Sequence, residues 1–340
     1  MNKVKRIRIS LPVLILGLSP IIIAFTMIGS ILYGAKDIGW STVLDAFFQF
    51  DSGNVDHQIV MYSRLPRVIG ALLIGAFLAI SGAIMQGMTR NYLASPSIMG
   101  VSDGSVFAIT FCMIFIPNAS PLDMIVYSLV GSAVAVGIVL GFMSLLPNGM
   151  SPVRMAIIGT IIGTFLSSIS AAMASYFQVS QNISFWYNAR LHQIDPNLIK
   201  LAIPFALVGI GLALLISKSI TVLSLGHEVS VSLGQKNVFV KVVAIISVVI
   251  LTGISVALAG NIGFVGLIIP HITRFLVGFD YRLIISCAGV IGAIFLALSD
   301  ILSRFLNHPF ETPIGVVTAL IGVPFFLYLI RKRGGMKYAS

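Results

Sequence analysis

Residues 64–91 read RLPRVIGALLIGAFLAISGAIMQGMTRN. Between Arg67 and Arg90 no residue carries a charge, and the apolar run is long enough for the helix of about 20 residues that crosses a bilayer. Ala71, Gly75, Ala79 and Ala83 recur at intervals of four. They make one stripe of small side chains, the pattern that lets helix backbones approach closely in lipid. The segment is therefore expected to be a spanning helix, with Arg64 and Arg67 at one end and Arg90 at the other.

The rest of the chain has the same character. Hydrophobic residues make up 57% of the 340 positions and charged residues 9%, with a mean hydropathy of +1.03. A water-soluble protein carries charge on about a quarter of its residues, so this surface faces lipid. Apolar runs predict spans at 10–33, 66–88, 97–116, 122–146, 153–176, 199–217, 238–259, 267–278, 283–303 and 312–330. The fold class expected is all-α, a polytopic transmembrane bundle of about ten spans within one permease-like domain covering 1–340. The eighth run is too short for a crossing and is expected to be a half-helix buried among its neighbours. Lys3, Lys5, Arg6 and Arg8 precede the first run, which is too long for a signal-peptide core and is expected to be a retained span. Small-residue pairs at Gly137 and Gly141, and at Gly159 and Gly163, predict further close helix contacts. Polar stretches at 34–65 and 177–198 are expected on the extracytoplasmic side, and the 218–237 loop on the cytoplasmic side. Cys112 and Cys287 sit in apolar runs and read as small buried hydrophobes.

Charge sets the expected orientation. With the N-terminus inside, the cytoplasmic segments hold 14 of the 21 Lys and Arg residues, which predicts both termini in the cytoplasm. The net charge of +10 is spread along these ends rather than gathered in a patch, so no nucleic-acid partner is expected. The chain has no G-x-x-x-x-G-K-[ST] phosphate loop, no G-x-S-x-G nucleophile and no histidine pair at metal-ligand spacing. No enzyme activity, catalytic residue or metal site is expected. A pump built on this chain needs an energy source elsewhere, or ionisable groups in mid-membrane. The latter are few: Asp103, His271, Arg274 and Asp300. His271 and Arg274 share the short eighth run. They read either as a gating element or as a tie for a broken helix, with Arg274 held by backbone carbonyls or by a carboxylate such as Asp103.

Four blocks, in order, resemble one family. They are RLPRVIGALLIGAFLAISGAIMQGMTRN (64–91), LASPSIMGVSDGS (93–105), AGNIGFVGLIIPHITRFLVGFDYR (259–282) and SDILSRFLNHPFETPIGVVTALIGVPFFLYLIR (299–331). Together they resemble the FecCD/BtuC-type permeases, which import ferric siderophores, haem and cobalamin. Three positions depart from the family's usual strings: Tyr92 where Pro is usual, Tyr281 where His is usual, and Thr312 where Leu is usual.

The resemblance implies the type II importer permease fold in a bacterial cell membrane. It implies a second permease subunit, identical or paralogous, two ATPase subunits that bind the ATP and Mg, and an extracytoplasmic binding protein delivering the chelate. A ferric siderophore is the substrate expected, and no cofactor in this chain. Arg64, Arg67 and Arg304 match the family's outer-mouth arginines, which meet carboxylates of the binding protein; the planar fork of Arg suits that pairing. A competing reading has Arg304 satisfied by Asp300 one turn earlier. The stretch LSLGHEVSVSLGQK (223–236) resembles the coupling loop, two short helices that insert into the ATPase. Gly226 and Gly234 would bound it, His227 and Glu228 would form its polar tip, and Leu233, Arg90 and Asn91 would add contacts. A cytoplasmic gate is expected around Met150 and Ser151.

Overall fold

The computed structural model describes residues 10–34, 36–116, 118–145, 152–181, 183, 191–307 and 310–335. All regular structure among them is helical: α1 (Leu11–Leu32), α2 (Trp40–Phe48), α3 (Val55–Gln58), α4 (Leu65–Thr89), α5 (Val101–Phe115), α6 (Pro121–Ser144), α7 (Pro152–Tyr176), α8 (Pro196–Ser224), α9 (His227–Ser232), α10 (Asn237–Ala259), α11 (Val265–Val277), α12 (Tyr281–Phe305) and α13 (Ile314–Gly335). Seven segments are long and apolar enough to cross a membrane, and three shorter apolar helices, at 101–115, 265–277 and 314–328, join them. The expected count of about ten is made of these two kinds.

The opening stretch forms the axis. In α4 and its N-terminal extension 78% of the most apolar window is buried, against 11% in α1. Helix α4 packs on α8, α10, α11 and α12, and Ala71, Ala79 and Ala83 are fully buried. Two glycines make the approach possible. A Cβ on Gly75 would lie 2.2 Å from the Gly292 carbonyl oxygen of α12, and one on Gly82 would lie 1.9 Å from the Gly266 oxygen of α11. Gly159 and Gly163 likewise meet the 98–103 segment. The Gly137 and Gly141 pair does not fulfil its expectation: both face open space, because the packed side of α6 carries Gly131, Ser132, Ala135 and Val139 instead.

The eighth span is the half-helix expected. Helix α11 has 13 residues, bounded by Phe264 at φ 69° and Gly278 at φ 87°. The third span is shorter than its apolar run, because a 3-10 turn at Pro96–Met99 and a left-handed Gly100 precede α5. Proline at the first turn and acidic caps start several helices: Ser120 and Asp123 close a capping box on α6, Asp195 caps α8 and Asp280 caps α12.

The 34–65 stretch is more ordered than its polarity suggests. Val43 and Ala46 of α2 join Ile31, Ile38, Val60 and Val68 in a satellite core. A π-helical turn at Ile59–Arg64 then runs straight into α4, with the Leu65 amide donating to the Val60 carbonyl. Pro66 follows at the start of α4 with no amide proton to continue the regular ladder.

Candidate functional site

The polar chemistry gathers at the two ends of the bundle. At one end Arg64, Arg67 and Arg304 come together, as the sequence leads one to expect. They are not displayed at the surface: their exposures are 6%, 7% and 5%. Arg67 Nε donates to both oxygens of Asp300, at 2.9 and 3.1 Å, and its Nη1 donates to Glu311 Oε1 at 2.7 Å. Arg304 also donates to Asp300, making the i,i+4 pair foreseen as the competing reading. Asp300 is 1% exposed and holds two guanidiniums. It is the hub of the cluster; its pairing with Arg304 was among the expectations, and its hold on Arg67 was not. The Asp-x-x-x-Arg spacing in one helix and Arg-x-x-Arg in another were the available signals.

Most of the remaining donors turn to the end of α1 and the residues just after it, while Arg304 Nε is left without a partner. Arg304 Nη1 donates to the carbonyls of Ser30 and Tyr33, at 2.7 and 2.9 Å, and Nη2 donates to Ser30 Oγ at 2.8 Å. Arg64 Nη1 donates to the carbonyls of Ile31 and Leu32, at 2.6 and 2.9 Å, and Nη2 donates to that of Lys36. The last carbonyls of a helix have no partner within it, and these two arginines supply donors. Together the three staple α1, α4 and α12. Outside the staple lies a cavity of about 350 Å³, lined by Arg67, His192, Asp300, Ser303, Glu311 and Thr312. His192 Nδ1 is 3.4 Å from Glu311 Oε2. Glu311, at 32% side-chain exposure, is the cluster's carboxylate within reach of solvent.

At the other end, α9 stands between Gly226 at φ 132° and Gly234 at φ 75°. These glycines take backbone angles that other residues rarely adopt. One short helix is present in this loop where two were expected, because after Gly234 the chain passes through two residues into α10. His227 and Glu228 are exposed. So are Leu225, Val229, Val231 and Leu233, the last at 64%, and the tip is more apolar than its polar pair suggested. Asn237 anchors the loop from below, donating from Nδ2 to Ser230 Oγ at 2.7 Å. Arg90, in a left-handed conformation at the end of α4, lines a cavity together with His227. Asn91 accepts from the Leu93 amide and shapes the next turn. Met150 and Ser151 lie outside the described residues.

The intramembrane pair has a different partner from the carboxylate considered. Asp103, on α5, accepts from Ser167 Oγ at 2.7 Å and faces α7. Arg274, on α11, lies 4.2 Å over the Tyr92 ring and 5.5 Å from that of Tyr281, and its Nη2 donates to the Tyr281 hydroxyl. Asp103 turns to α7 while Arg274 is buried against Tyr92 and Tyr281, so cation–π contact replaces an ion pair. His271 sits edge-on to Tyr92 and Phe325. Two of the three departures from the family strings, Tyr92 and Tyr281, are thus the residues that hold Arg274. Among the described residues no cluster of His, Cys, Asp and Glu could hold a metal.

The comparisons agree with this architecture. The chain is 58% identical over 322 residues to the iron-uptake system permease protein FeuB of Bacillus subtilis (strain 168), covering 95% of this chain and 96% of that one. It is 48% identical to the iron(3+)-hydroxamate import system permease protein FhuB of the same organism, covering 89% and 79%. A solved chain of a metal-chelate type ABC transporter, in an inward-facing conformation, superposes with a TM-score of 0.79 at 28% identity, covering 94% of this chain and 99% of that one. The FecCD transport family matches residues 22–332, and the chain, an all-helical multi-pass permease with the type II importer fold, belongs to that family.

Proposed function

We propose that this chain is the membrane-spanning subunit of an ATP-driven importer for a ferric siderophore. The observation that carries the reading is the 58% identity, over nearly the whole of both chains, to an iron-uptake permease. Two such subunits form the pore in a bacterial cell membrane, with both termini in the cytoplasm. ATP and Mg belong to two partner ATPase subunits, and a binding protein delivers the chelate from outside.

In this reading the arginine end faces outward and receives the binding protein. Arg64, Arg67 and Arg304 act from beneath the surface: a carboxylate of the incoming protein competes with Glu311 for Arg67, while Asp300 keeps the staple closed. The α9 end faces the ATPase. Its glycine-bounded helix, with Leu233 and its apolar neighbours, His227 and Glu228, seats on that subunit, and Arg90 and Asn91 flank it. Large exposed side chains on a short loop suit such a contact. The gate around Met150 and Ser151 completes the path.

The test is uptake of radioactive iron–siderophore by cells or proteoliposomes containing the whole transporter. Inactivating the ATPase subunit is expected to abolish uptake. Uptake that continues unchanged, or that follows an imposed proton gradient instead, would replace this reading with a secondary transporter.

A further inference from the structure

Beside α9 lies a cavity of about 270 Å³. Arg90, His227, Asn237 and Lys241 supply its polar wall. Leu140, Met155, Val242 and Ile245 supply an apolar one. Three features of this cavity are unmatched within the chain.

The first is charge. Arg90 and Lys241 both line this one cavity. The ion pairs among the described residues involve neither of them. Two like charges with low-dielectric walls and no counter-ion attract an anion strongly. The second is hydrogen bonding: Asn237 is buried, and its Oδ1 accepts from no donor. The third is the apolar wall, which continues onto the outer surface of α10 through the exposed Val238, Phe239, Val242 and Ile246. Helix α10 is one of the seven apolar spans, so this exposed apolar surface suits an acyl chain, and Lys241 in its first turns suits a lipid head group.

An inorganic anion would answer the cations and leave the apolar wall bare. A zwitterionic lipid would fill the wall and bring no net charge. We propose that the cavity binds an anionic phospholipid of the phosphatidylglycerol class. Its phosphodiester lies between Arg90 and Lys241, a head-group hydroxyl donates to Asn237 Oδ1, and an acyl chain follows Val242 and Ile245 out along α10. Basic pockets between spanning helices favour such head groups. Asn237 also holds α9 through Ser230, so the lipid braces the short helix from behind. The lipid site stands whether or not the transported chelate is the one proposed above.

The experiment uses the full chain, purified in detergent with phosphatidylcholine as background, and reads bound lipid by native mass spectrometry with thermal unfolding in parallel. Phosphatidylglycerol is expected to remain bound at one molecule per chain and to raise the unfolding temperature; phosphatidylcholine of the same acyl chains and inorganic phosphate are expected to do neither. Lys241→Gln should weaken phosphatidylglycerol binding about fivefold, the loss of one basic residue near a head group. Lys241→Arg should retain binding and guard against a folding defect, and Lys218→Gln, exposed at the same end but not in the cavity wall, should leave it unchanged. Equal retention of both lipids, full affinity in Lys241→Gln, or displacement of the lipid when the ATPase subunit assembles would each overturn the proposal. Phosphate binding as tightly as the lipid would make this a site for a free anion instead.

Discussion

The two ends of this bundle use the same kind of residue in opposite ways. At one end three arginines are buried, and Asp300, Glu311 and the terminal carbonyls of α1 accept hydrogen bonds from them. At the other, Arg90 and Lys241 share a cavity with no carboxylate. Burial with partners makes a cation part of the scaffold, and burial is stable only when those partners are kept. A cation beside a cavity without partners leaves its charge for something outside the chain. Family resemblance alone would treat the arginines as exposed docking groups, and the geometry makes them first of all a staple.

The sharpest way to break that contrast is to empty the hub. Asp300→Asn would leave Arg67 and Arg304 buried with their shared counter-charge gone, and a loss on the order of 3–5 kcal/mol is expected. Thermal unfolding in detergent measures it; an unchanged midpoint would mean that the cluster is not structural. Next in size is the helix contact that frames both ends. Gly82→Ala puts a methyl 1.9 Å from the Gly266 oxygen, so α4 and α11 must part, and about 1–3 kcal/mol is expected to be lost in the same assay. A fully stable variant would show that the two backbones separate freely.

Two smaller tests sharpen the comparison. Glu311 is a third exposed, so Glu311→Gln should cost no more than about 1 kcal/mol. Under the docking proposal it frees Arg67, and capture of the loaded binding protein should tighten; weaker capture would assign Glu311 itself to the contact. Asp280 caps α12 at the α9 end, accepting from the Arg282 amide and guanidinium, at 3.0 and 2.8 Å. Those hydrogen bonds, above all from the Arg282 side chain, hold its carboxyl below the ordinary aspartate value against the opposing effect of burial. The sign follows: the contribution is complete above the unfolded aspartate value near about 3.9 and is lost as the pH falls through the folded value. Asp280→Ala should cost about 1 kcal/mol at neutral pH and flatten the acid limb of stability. An acid limb identical to that of the parent would exclude this cap as its source.

Much of this was legible beforehand in particular residues. The uncharged run from Val68 to Thr89 and the stripe of Ala71, Gly75, Ala79 and Ala83 foretold the central helix and the face it buries. The short run around Arg274 foretold a half-helix. Period and composition are local properties, and lipid imposes them on each span separately. The misplaced details all depend on a second segment. Gly137 and Gly141 have the right spacing on a face that meets no helix within the chain. Asp103 and Arg274 are complementary in charge, yet Asp103 turns to α7, and Tyr92 and Tyr281 stand where a carboxylate was sought.

By itself, then, the sequence determined a multi-pass bundle of about ten apolar helices, its family, and the absence of a phosphate loop. Each of these rests on composition or on contiguous strings. Only the tertiary structure decided that Asp300 joins residues from two helices, that Arg64 and Arg304 close the end of α1, and that Arg90 and Lys241 share one unneutralised cavity. The reason is that a charge's role depends on what lies within a few ångströms of it, and in a helical bundle those neighbours come from remote parts of the chain: Arg67 and Glu311 are separated by 244 positions.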